Sequence, residues 1–198
     1  MAPRRPRRRS RTVRHPLLAV LVLVTVVGVS LGVAMAHQPS ATAISPTGAV
    51  AVAGLQYNVS GARQLDEMGD APVIHALPPS WRRASGRTVD YGVFITVDNN
   101  GARTRPMARR FALIDASQHS FTPIALRRDS PFAYRATGLA TGQVAPPAGS
   151  APAQDGAEQG YPLVFRIPGT AAADGSLTLR VFDPTAATPP VDILVQSA

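Results

Sequence analysis

An all-β fold is predicted for this 198-residue chain beyond residue 50: an antiparallel β-sandwich behind one N-terminal transmembrane helix. Three observations carry that prediction. Beyond residue 50 the apolar residues recur with a period of two, the spacing of a half-buried strand, and not with the 3.6 of a helix. The apolar runs there are short and bounded by Pro, Gly, Asp or Ser, as in a sandwich. A single uncharged stretch, Leu17 to Ala36, stands in front of them.

The N-terminus divides by charge. Residues 1–16 hold seven Arg and no acid, a basic tail that stays cytoplasmic. Residues 17–36 are 20 positions without a charge; as a helix they reach roughly 30 Å, one hydrocarbon core. A rival reading makes Met1 to Ala36 a secretory signal cleaved after Ala34-Met35-Ala36. Signal cores usually run to about 15 residues at most, so the longer stretch favours a retained anchor. Both readings place residues 37–198 outside the cytoplasm, with the protein in the cell membrane as a single-pass chain or, in the alternative, secreted. The Arg run abuts the spanning segment, which points it at anionic lipid and away from nucleic acid.

Residues 37–50 contain Pro39, Pro46 and Gly48 and few large side chains, so they are read as a flexible stalk. From residue 37 onward 13 Arg face 12 acids, so the strong basicity belongs to the tail and the body is near neutral. The absence of Cys excludes disulfides, thiolate metal clusters and a cysteine nucleophile.

Residues 51–198 form one extracytoplasmic domain. The strand prediction is clearest from Thr88 to Asp98, where Val89, Tyr91, Val93, Ile95 and Val97 alternate with polar residues or Gly and only Phe94 breaks the pattern. The run stops at Asn99-Asn100-Gly101, residues that accept the positive φ of a tight turn. Other strands are predicted at 55–60, 111–115, 119–123, 161–167, 177–182 and 191–195. A helical turn is read near 127–133, with Asp129 or Ser130 as cap and Pro131 in its first turn. Two insertions interrupt the strands: 66–87, with Asp66, Glu67, Asp70 and Trp81, and 138–160, read as a mobile loop without side chains to bury.

The strand Tyr91 to Val97 with its Asp98-Asn99-Asn100-Gly101 end, the segment Phe111 to Asp115, the block Leu163 to Pro168 and the ladder Leu177 to Val181 resemble the immunoglobulin-like (telokin-like) extracellular domains of unknown function found in anchored bacterial envelope proteins. The mycobacterial immunoprotective extracellular antigen has a similar fold. The block Pro131 to Tyr134 and the Arg-only, Ala-rich composition resemble actinobacterial members. Members often carry a lipobox Cys, which this chain lacks. The resemblance implies an immunoglobulin-like sandwich and an envelope location, and it implies no activity.

The chemistry-bearing residues are sparse. There is no Gly-x-Ser-x-Gly elbow, and His37, His75 and His119 fall at no catalytic spacing. Asp66, Glu67 and Asp70 read as a solvated turn more readily than as glycosidase carboxylates, and they lack the alternating oxygen ligands of a calcium loop. The chain is therefore read as a binding or structural module of the envelope, not an enzyme, and without a cofactor. The alternative is an exported copper- or zinc-handling β-sandwich drawing on His37, Met68, His75, Met107 and His119, although no two of these stand at a ligand-pair spacing.

The candidate binding surface is Trp81 with Arg103, Arg105, Arg109, Arg110, Arg127 and Arg128. Trp and Arg are enriched where binding energy concentrates, and clustered cations suit an anionic wall polymer or lipid headgroups, with an envelope protein as the other partner expected. The reading expects their loops to share one end of the sandwich. Asn58-Val59-Ser60 matches a glycosylation sequon but lies inside a predicted strand.

Overall fold

The computed structural model describes residues 44–45, 48–82, 86–154 and 159–195. The chain divides into two units, Met1–Pro39 and Ser40–Ala198. The basic tail, the apolar segment 17–36 and the first part of the stalk lie outside the described residues. Among those described, no helix is long and apolar enough to cross a membrane.

Alternation in the sequence becomes alternation in space along the longest strand, β4 (Thr88–Asp98), whose Tyr91, Val93, Ile95 and Val97 are all buried on one face. It lies between β3 (Leu55–Gln64) and β10 (Tyr161–Pro168), both antiparallel to it. With β2 (Ala49–Val52) these make a sheet in the order β10-β4-β3-β2, and β9 (Val144–Ala145) pairs with the end of β4. A second sheet runs β1-β12-β11-β6-β7, formed by Ile44–Ser45, Val191–Val195, Leu177–Val181, Phe111–Ile114 and Ser120–Phe121 in that order. The short strands β5 (Arg105–Pro106) and β8 (Gly138–Leu139) pair with each other. Every pair is antiparallel except β1 with β12.

The two large sheets share one apolar core, with Tyr57, Val93, Ile95, Leu163 and Phe165 from one and Leu113, Leu177, Leu179 and Ile193 from the other. The all-β, sandwich-like prediction is therefore met. A second, smaller cluster covers the opposite face of β4: Leu65, Val73, Leu77, Phe94, Phe132 and Val164. Phe94, the residue that broke the alternation, points into it. Gly92, two positions earlier, leaves the space that Leu65 fills, since a Cβ there would stand 2.7 Å from Leu65 Cδ2.

Three expectations change. The stalk is not wholly outside the sheets, because Ile44–Ser45 pairs with β12 and Ala49–Val52 with β3. The region 66–87 carries α1 (Ala71–His75) and a 3-10 turn (Pro79–Trp81), with Val73 and Leu77 buried beneath them. Of the stretch 138–160, residues 138–154 are likewise tied down: they hold β8, β9 and α2 (Ala151–Gln154) and bury Leu139, Ala145 and Pro152, while 155–158 lie outside the described residues. The turn expected at 127–133 is present as two consecutive non-helical turns, held by Ser130 N–H to the Arg127 carbonyl and Ala133 N–H to the Ser130 carbonyl, with Ser130 Oγ accepting from Phe132 N–H. A further helix, α3 (Gly169–Asp174), ends at Gly175 in the left-handed region.

Asn99 also acts differently from the turn residue expected, since no positive φ occurs at 99–101. It is fully buried, its side-chain amide donates to the carbonyls of Arg103 and Leu139, and its Oδ1 accepts from Gly101 N–H. The side chain fastens two loops to the end of β4.

Candidate functional site

A groove of about 590 Å³ opens where the edge of β10 meets the loop 123–135. Its floor includes Phe111, Tyr134, Pro162 and Leu163, and its outer wall is Pro123 to Leu126. Arg109, Arg128 and Arg135 stand around it, and no carboxylate lines it among the described residues.

The floor is rigid for a reason visible in the packing. Tyr57, Phe111, Tyr134 and Tyr161 form a chain of edge-to-face rings with centroids 6.3, 5.3 and 5.7 Å apart. Two of the hydroxyls clamp one residue: Ala108 N–H donates to Tyr57 Oη at 2.6 Å, and Tyr134 Oη donates to the Ala108 carbonyl at 2.9 Å. Ala108 is thus fixed from both sides, which sets where Arg109 leaves the backbone. Burial pushes the Tyr134 hydroxyl far above its ordinary pKa, with Tyr57 and Tyr161 adding to the shift. It stays protonated and serves as a structural donor.

The outer wall is held at three points. Ile124 N–H donates to the Val164 carbonyl at 2.7 Å, Arg127 N–H donates to the Ala76 carbonyl at 2.8 Å, and Phe132 is sunk in the smaller apolar cluster. The Ile124 bond also shows that Val164 turns its polar backbone groups away from β4. By the alternation of an antiparallel strand Pro162 turns the same way, and it has no N–H to offer. The strand edge beside the groove is therefore closed to another strand.

Of the predicted surface residues, the structure brings Arg109 and Arg128 together at this groove. The others go elsewhere, so the seven do not share one end. Trp81 sits beside the start of β4: the Arg166 guanidinium lies 4.9 Å from its ring centroid and makes two 2.9 Å bonds to Asp90. Arg103 and Arg105 sit at the far end of the same strand. The Arg103 carbonyl takes a bond from Asn99, and Arg105 Nε lies over Gly54, 3.3 Å from where a Cβ would be. Asp90 and Asn99 are nine residues apart on an extended strand, about 30 Å. Arg110 stacks on Phe182 at 4.5 Å, and Arg127 is paired with Asp129 at 2.5 Å.

Arg135 was missed. Its Nη2 donates to the Arg128 carbonyl, which ties the two groove cations together. The available signal was its place directly after the Pro131 to Tyr134 block.

The residues of the metal-handling alternative are scattered: Met107 is in the main core, Met68 is fully exposed, and His119 pairs with Asp115 at 2.9 Å. Among the described residues no three His, Asp or Glu side chains are grouped to hold a metal ion. His37 lies outside the described residues. Asp70, read as part of a solvated turn, is buried and bonded to Arg63 at 2.7 Å. Asn58 of the sequon spends its amide on Asp98 at 2.6 Å within the sheet.

No protein-family model and no curated protein matches the sequence. Among solved structures, the chain is similar to one described as "a putative lipoprotein (ycdA)" from Bacillus subtilis subsp. subtilis str. 168, with 11% identity and a TM-score of 0.49. The match covers 77% of this chain and 39% of that one, so the chain spans well under half of that protein's length.

Proposed function

We propose that this protein is an envelope module, anchored in the membrane by residues 17–36, whose immunoglobulin-like outer domain binds an anionic, partly apolar envelope molecule in the groove at the edge of β10. The observation that carries the reading is the groove itself: an apolar trough ringed by three arginines, with no acid lining it among the described residues. Its size falls within the range of small-ligand sites. Two sheets facing one core, antiparallel apart from the short β1–β12 pair, support the immunoglobulin-like assignment.

Binding fits the lining better than catalysis does. Apart from the guanidiniums, the lining side chains are hydrocarbon or the Tyr134 ring, and the Tyr134 hydroxyl is spent on the Ala108 carbonyl. Neither a nucleophile nor a general base faces the space.

Incorporation of a photoreactive benzoylphenylalanine at Ala125, an exposed position in the groove wall, tests the reading in cells expressing the full chain. Illumination after removal of the wall should give an adduct, and the protein should stay with membranes through alkaline extraction. The same amino acid at Ala187, in an exposed loop after β11, should give none. Equal adduct from both sites, or from neither, defeats the groove reading; recovery in the medium from His37 onward defeats the anchor.

A further inference from the structure

Resting on the groove reading, we propose that its ligand is an anionic phospholipid, with one acyl chain along the floor and wall and the headgroup phosphate held by Arg109, Arg128 and Arg135. The charge is complementary, and Arg135, although it donates to the Arg128 carbonyl, meets no carboxylate among the described residues. Arg127 takes the nearby Asp129, while Arg109 and Arg128 have no carboxylate partner among the described residues. Guanidiniums in that state match phosphate with paired charge-assisted hydrogen bonds.

The walls select against the other anionic candidates. A sugar-rich wall polymer brings many hydroxyls, and Phe111, Ile124, Leu126, Pro162 and Leu163 offer none of them a partner; desolvating hydroxyls without replacement bonds is costly. An acidic peptide would gain most by adding a strand to β10, and that edge is closed by Pro162 and by the Ile124 to Val164 bond. An acyl chain needs neither kind of bond. It needs apolar surface beside a cationic rim.

The test uses the full chain with phosphatidylcholine vesicles containing a small fraction of phosphatidylglycerol that carries a diazirine in its acyl tail. After illumination, the labelled segments are mapped by mass spectrometry. Label is expected within residues 109–135, beyond that given by tail-labelled phosphatidylcholine, and it should weaken as salt rises. The double change Arg109→Ala with Arg128→Ala should lower that label about tenfold, the loss expected for two exposed charge-assisted contacts. Ala125→Trp, which fills the trough from an exposed position, should lower it as well. The double change Arg103→Ala with Arg105→Ala removes the same charge from the far end of β4 and should leave the label intact.

Equal labelling by the two lipids, label confined to other segments, or equal losses from the two arginine pairs overturns the lipid assignment. A protein-sized adduct at the Ala125 photoprobe together with any of those results would sink the lipid and leave the groove as a binding site.

Discussion

The two apolar clusters on either side of β4 are built in different ways. The larger one lies between two sheets, and its side chains come almost entirely from alternate positions of strands, as with Tyr91, Val93, Ile95 and Val97. The smaller one takes two residues from the sheet, Phe94 and Val164, and roofs them with α1 and the loop that carries Phe132. The first cluster decides the fold and the second decides where the groove wall stands. A structural core and the core that shapes a site are therefore separable in this molecule, although they share a strand.

The sharpest way to break that comparison is at adjacent residues of β4. Ile95→Ala should cost about 4 kcal/mol in chemical denaturation of the whole domain, from lost transfer energy and a cavity in a fully buried site. Thr96→Ala, half-buried on the other face with only a 3.4 Å contact to Asn58, should cost about 0.5 kcal/mol or less. Similar losses at both positions would mean that the faces are not distinct.

Phe94→Ala should cost somewhat less than Ile95→Ala, about 3 kcal/mol, since a single-layer roof relaxes more easily into the space left behind. Its signature is local. Hydrogen exchange should quicken in 71–77 and 124–133 while β11 and β12 keep their protection. Uniform loss of protection would show one cooperative core instead of two.

Acid supplies the smallest effect, and it acts on the main-core side. Asp183 follows β11; its partial burial opposes ionisation, but the hydroxyls and amides of Thr185 and Thr188 outweigh that and hold its pKa down to about 2. A carboxylate depressed in the folded state adds stability that is complete above its unfolded pKa of about 4 and is lost as pH falls toward 2. Asp183→Asn should flatten the decline of the denaturation midpoint across that window. An unchanged slope would remove Asp183 from the account.

The regular strands were legible because their chemistry is periodic. The run 88–98 is bounded in the structure as in the sequence reading, and so is 191–195. Short pairs such as Gly138–Leu139 and Val144–Ala145 were not legible, since two residues carry no period and exist as strands only through their partners. The one break in the best pattern, Phe94, was the trace of the second cluster, but nothing local says which distant residues will cover it. The site shows the same division. Clustered cations were visible at 109 and 128, whereas the groove depends on segments near 109, 125, 134 and 162 converging from three parts of the chain. Arginine count alone did not separate the free groove cations from Arg166 and Arg180, which are spent on Asp90 and Asp192.

The stacking of Arg166 on Trp81 gives the molecule a built-in optical probe. Trp81 is the only tryptophan in the chain, and its indole rests against a guanidinium fixed on β10, away from the main core. Intrinsic emission excited at the indole band therefore follows the seating of the 66–82 segment on the outer face of the sheet. Circular dichroism follows the strands. The two signals separate loosening of the roof from unfolding of the domain without any added label.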